Sequence, residues 1–282
     1  MTTTSDSRTM RFLRRLRRFL FGPTMQAVLF YLGVLALWEY VSRAEIIRPF
    51  LLPAPTTVVE TIGEVWSDLV SNSWVTLQSI LAGFFLGAGI GFVMGVGIFY
   101  SRFLRRILYP AALLTQTVPK IALAPLFIVW FGVGSRPIVA ITALICLFPV
   151  LINTVVGLGS VDPRLLELMH SVSASGWQRF RMIHLPAGLP SIVAGLEVAS
   201  TLAVVGALVG EFVGAEAGLG YQILIANSRL RTDELFAALV AVVVIGIAFF
   251  FSIKALERLV LRHRAQSGFH EDTVVDVGTG TA

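Results

Sequence analysis

Long apolar stretches alternate along this chain with short polar ones. Six of them, near 26–43, 76–99, 107–131, 137–158, 190–214 and 235–257, are long enough to cross a bilayer as helices, since roughly 30 Å of hydrocarbon takes about 20 helical residues. The pattern predicts an all-α integral membrane protein with about six transmembrane helices. The second stretch carries Gly83, Gly87, Gly91 and Gly95, a four-residue ladder that lets another helix approach closely on one face. The third, "QTVPKIALAPLFIVWFG", contains Pro119 and Pro125, so its backbone hydrogen bonding must break; in a membrane that is tolerated only against protein or a watery cavity. Prolines 49, 53 and 55 precede an amphipathic run bearing Glu60, Glu64 and Asp68, expected along the outer surface.

Between stretches four and five the pattern changes. "LELMHSVSASGWQRFRMIHLPAGLP", residues 166–190, is amphipathic where its neighbours are apolar. It reads as two short helices. Asp162 followed by Pro163 makes a helix start, and Leu165, Met169 and Val172 recur at helical spacing. "SAS" at 173–175 interrupts the pattern. Ser175 can then cap a second helix whose stripe is Trp177, Phe180 and Ile183, with Pro186 and Pro190 limiting its extent. A stripe of that kind needs a partner.

Composition agrees with a membrane home: 56% of residues are apolar, 14% are charged and the mean hydropathy is +0.81, where a soluble chain is about a quarter charged. The basic residues flank the apolar runs rather than gathering in an aromatic-rich patch, so they point to membrane topology and not to nucleic acid. The N-terminal "RTMRFLRRLRRFLF" and the run after it read as an uncleaved first span. With the N-terminus inside, sixteen basic residues fall on inner segments and five (Arg43, Arg48, Arg136, Arg229 and Arg231) on outer ones. The positive-inside rule therefore places both termini in the cytoplasm. The tail "AQSGFHEDTVVDVGTGTA" has no apolar periodicity and is expected to be disordered.

Candidate chemistry is sparse. The single cysteine, Cys146, lies in an apolar run, so neither a disulfide nor a thiolate metal site is available within the chain. The four histidines are scattered, and neither H-E-x-x-H nor G-x-S-x-G occurs, which argues against an enzyme. No phosphate-binding G-x-x-x-x-G-K-[ST] occurs either, so ATP is not expected on this polypeptide. Lys120 and Glu211 lie within apolar spans, where an ionisable group costs on the order of 3 kcal/mol. Each should therefore face protein or water, and the two are close enough in depth to meet. Two readings of this stay open: Lys120 binding carbonyls freed by the prolines while Glu211 reaches outer water, or Lys120 lining a pathway with Glu211 holding it or acting in an outer gate. A secondary transporter using these two residues is the rival class.

The 166–190 segment resembles the cytoplasmic loop of bacterial ABC importer permeases with the pattern E-A-A-x3-G-x9-I-x-L-P. Glu167 takes the first position, Leu168 and Met169 stand for the alanines, Ser173 for the glycine, and Ile183, Leu185 and Pro186 complete it. "ALAPLFIVWFGVG", "LFPVLINTVVGLGSVDP", "LPAGLPSIVAGLEVA" and "VGEFVGAEAGLGY" extend the resemblance over residues 30–260, which look nearest to the nitrate, sulfonate and taurine branch. Thiamine-pyrimidine precursors are served by similar permeases. The resemblance implies the type I importer permease architecture, with 1–24 a basic cytoplasmic N-terminus, 25–264 the permease domain, its coupling loop at about 160–189, and 265–282 the tail. In such permeases the loop forms a coupling helix seated in a groove on an ATPase subunit, so Gly176, Trp177 and Phe180 join the coupling set. Two permease copies, two ATPase subunits holding ATP and Mg, and an extracytoplasmic solute-binding protein are further implied. Where the pattern has a glycine this chain has Ser173, so the turn is expected to use ordinary backbone angles or to move its bend to Gly176.

Overall fold

A computed structural model of the chain describes residues 23–115 and 118–265. The basic N-terminal segment and the tail lie almost wholly outside the described residues. Among the described residues every regular element is helical. Helix α1 (Pro23–Arg43) is followed by a short α2 (Pro55–Glu64) and a long α3 (Trp66–Tyr100). The amphipathic run before the second span is divided between two helices: Glu60 and Glu64 lie in α2, and Asp68 sits in the first turn of α3, which begins ten residues before the apolar stretch does.

The third stretch is broken as its prolines require. Helix α4 (Arg102–Thr115) and the pair formed by a 3₁₀ turn (Lys120–Leu123) and α5 (Ala124–Phe131) diverge by 94°. Pro125 does not break α5 but sits in its first turn, where a missing N–H costs nothing. Helix α6 (Ser135–Gly159) follows, then the short α7 (Pro163–Ser171) and α8 (Gly176–Arg179). After a π-helical turn (Phe180–His184), α9 (Leu185–Gly214), α10 (Leu219–Ser228) and α11 (Thr232–Ala265) complete the described residues. The short α10 lies in a stretch the apolar pattern leaves unassigned. Pro186 and Pro190 do not end the second short helix as expected, because α8, the π turn and α9 run on as one 39-residue helix, Gly176–Gly214. The wider π turn, closed by Leu185 N–H donating to Phe180 C=O, meets Pro186 where an ordinary turn would clash with the proline ring.

The core is the contact of α3, α6 and α9, with one face of α11 added. Ile80, Phe84 and Ala88 meet Cys146 and Val150, Ala199, Ala203 and Ala207, and Phe249 and Ile253. Over half of the α6 span is buried and 6% of α1, so α6 is the axis and α1 the periphery. The glycine ladder is the close-approach face its spacing predicts, and the helix it meets is α6. A methyl group on Gly87 would strike the Ala143 carbonyl, one on Gly91 would lie 2.5 Å from the Leu147 carbonyl, and one on Gly95 2.7 Å from Thr154 Cβ. Gly157 of α6 and Gly188 of α9 make a second contact at backbone distance. Helix α1 is held at one end, where Trp38 Nε1 donates to Pro53 C=O at 3.0 Å, Ser42 Oγ donates to Leu52 C=O at 2.8 Å, and the Trp38 ring meets Phe236.

Candidate functional site

Local sequence shapes the segment between α6 and α9. Asp162 caps α7, its carboxylate accepting from Arg164 N–H at 2.8 Å. Ser175 caps α8 in a reciprocal box: Gln178 N–H donates to Ser175 Oγ at 3.2 Å, and Ser175 N–H to Gln178 Oε1 at 2.7 Å. The turn between them corrects the sequence expectation. Ser173 itself takes the left-handed conformation, φ +51°. Its N–H donates to His170 C=O and that of Ala174 to Met169 C=O, a pair of bonds closing α7 as a Schellman cap. The bend therefore does not move to Gly176, which lies in open space. Arg179 donates to His170 Nε2 at 2.9 Å and ties the two short helices together.

Leu165, Leu168 and Val172 share the outward face of α7, with Glu167 beside them, and Leu168 is 60% exposed. Trp177 is 67% exposed and Met182 nearly the same. The expected stripe at 177, 180 and 183 splits: Trp177 faces out while Phe180, Ile183, Leu185 and Pro186 are half-buried, Phe180 between the rings of Trp177 and Tyr100. On α7 it is Met169 that turns partly inward. The reason is the unbroken helix, which lays the inner side of the π turn against the end of α3. Sequence periodicity sees an apolar stripe without seeing which part the protein's own body covers.

At the far end of α9, roughly 40 Å away by helical rise, Glu211 is 1% exposed and does not reach outer water. Its Oε2 accepts from Gly220 N–H at 2.7 Å and from Thr76 Oγ1 at 3.1 Å. Thr76 Oγ1 accepts in turn from Leu219 N–H, and Asn72 Oδ1 from Gly218 N–H, each at 2.8 Å. Gly218, at φ +114°, packs against the carboxylate so closely that any side chain there would strike it. These bonds satisfy the first amides of α10, which a helix start otherwise leaves open. Asn72 and Thr76 escape a reading by motif because their only signal is small polar residues in apolar surroundings, while Gly218 and Gly220 fall within the quoted "VGEFVGAEAGLGY" without any sign there of what they contact. The Lys120–Glu211 pairing is not formed. Lys120 Nζ lies 5.2 Å above the Phe148 ring, beside the break in the third stretch. An ion pair that is formed among the described residues, Lys254 with Glu197 at 3.5 Å, joins α11 to α9.

Residues 87–265 match the family described as the binding-protein-dependent transport system inner membrane component. The chain belongs to that family. This permease is 36% identical over 241 residues to the formylaminopyrimidine transport permease protein ThiX of Halalkalibacterium halodurans, covering 85% of this chain and 96% of that one. It is 34% identical over 258 residues to the riboflavin transport system permease protein RibX of Chloroflexus aurantiacus, covering 90% and 95%. To the aliphatic sulfonates permease protein SsuC of Bacillus subtilis it is 31% identical, covering 85% and 88%. Its fold matches an inward-facing MetNI methionine ABC transporter structure with TM-score 0.61, 23% identity, and coverage of 70% of the permease and 98% of that chain. The permease is therefore a multi-pass transport subunit of an ABC importer, not an enzyme, and the secondary-transporter alternative is not favoured.

Proposed function

We propose that the permease forms, with a second copy, the path for a small solute handed over by an extracytoplasmic binding protein, and that residues 163–182 dock on a cytoplasmic ATPase subunit carrying ATP and Mg. The observation that carries the docking role is the apolar outward face of α7 and α8, with Leu165, Leu168, Val172 and Trp177 exposed on a segment that the charge pattern assigns to water. Two ATPase subunits serve the pair, and both permease termini lie in the cytoplasm. The solute belongs to the class of small anions and heterocycles that includes nitrate, alkanesulfonates, taurine and pyrimidine precursors. Lys120, partly exposed where α4 and α5 diverge, lends positive potential to the path; Glu211 holds the start of α10 beside it rather than lining it.

Co-purification tests the docking role. Trp177→Ala removes exposed apolar area worth about 2 kcal/mol once buried against a partner, and should lower both the ATPase recovered with the permease and the uptake measured in proteoliposomes. Phe180→Ala should act mainly through the packing of the permease itself. Equal recovery of ATPase with Trp177→Ala at equal expression removes the docking role.

A further inference from the structure

We infer that His184 is the joint that passes movement of the docking segment into the transmembrane core, a positioning residue at the π turn; this rests on the docking role proposed above. The turn Phe180–His184 stands where the short α8 becomes the long α9, so any displacement of Trp177 must pass through it. The His184 ring touches two other spans there. Its Nδ1 donates at 2.9 Å to the carbonyl of Leu158, one of the last-turn carbonyls of α6 that no helical amide can satisfy. Its ring lies edge-on to Phe99 and Tyr100, the last two residues of α3, at centroid distances of 4.9 and 6.2 Å. One turn further along α9, Gly188 meets Gly157 at backbone distance, so the joint is backed by a contact with no side chain to yield. The three helices gathered at this ring all contribute to the main core cluster, with α6 packed against both of the others. A push on the docking segment is therefore handed to α3 and α6 together, instead of being absorbed by a loose loop.

The experiment uses the complete importer, permease with ATPase subunits and binding protein, in proteoliposomes, and reads solute transported per ATP hydrolysed. His184→Phe keeps the ring and loses the donor; His184→Asn keeps a donor near Nδ1 and loses the ring. Both should retain the ATPase subunit and basal hydrolysis, with transport per ATP reduced about fivefold or more in His184→Phe and less in His184→Asn. A parental ratio in both variants overturns the joint. Spin labels at Ser160 and Arg181 in the otherwise native complex give a second reading that leaves His184 in place: their separation should stay constant between nucleotide-free and ATP-bound states, and a change overturns the proposal. Failure of the docking role itself is seen separately, as an unmodified permease that recovers no ATPase subunit.

Discussion

Ser173 carries a local conflict, sharing a left-handed backbone with Glu45 and Leu230 among the described non-glycine residues. A non-glycine residue in the left-handed region costs roughly 1–2 kcal/mol, yet the two Schellman bonds at 170 and 169 require that conformation. Ser173→Gly should relieve it by about 1 kcal/mol, the lower figure because glycine also loses more chain entropy on ordering. The Ala174 amide, which closes the turn, should then exchange with solvent about fivefold more slowly; unchanged or faster exchange would count against the strain. Lys120 poses a different question at the same scale. Lys120→Met keeps the apolar stem over Phe148 and removes the charge. Uptake should fall to background while the complex still assembles and the binding protein keeps its affinity. Transport at the parental rate would make Lys120 a packing residue of the broken span.

At the scale of elements, the α3–α6 contact depends on the absence of side chains on one face of α3. Gly87 and Gly89 are two residues apart on the same helix, but only Gly87 faces α6; a methyl group on Gly89 meets nothing within 4 Å. Gly87→Ala must push the helices apart or strain them, an overpacking cost of about 1–3 kcal/mol. Gly89→Ala should be neutral or slightly stabilising, since alanine is the better helix former. Thermal unfolding of the two detergent-solubilised variants tests the difference, and equal loss in both would mean that the ladder acts through chain flexibility rather than packing.

For the whole molecule, the distribution of basic residues predicts an orientation with both termini in the cytoplasm. In a background lacking the buried Cys146, a cysteine placed at the exposed Ser175 should react with a membrane-impermeant thiol reagent only after cells are opened. One placed at the exposed Ser228 should react in intact cells. The reverse pattern would invert the topology and put the docking segment on the wrong side for an ATPase.

Apolar run length, glycine spacing and the amphipathic break between spans four and five are local properties. The membrane class, a close-approach face on α3 and the position of the amphipathic segment were accordingly legible in the sequence, with the helix starts at Asp162 and Ser175, whereas the helix that meets that face, α6, was not. Other features depend on which groups meet across long separations, and there only tertiary structure decides. Glu211 is a capping acceptor because Thr76, 135 residues away, and Gly220 converge on it, whereas depth along the membrane alone would have matched it with Lys120. The stripe at 177, 180 and 183 divides into an outward Trp177 and an inward Phe180 because α3 ends beside the π turn, and His184 becomes a contact point because α6 ends there too. Helical periodicity places a residue on a face; what covers that face is settled by the packing of helices distant in the chain.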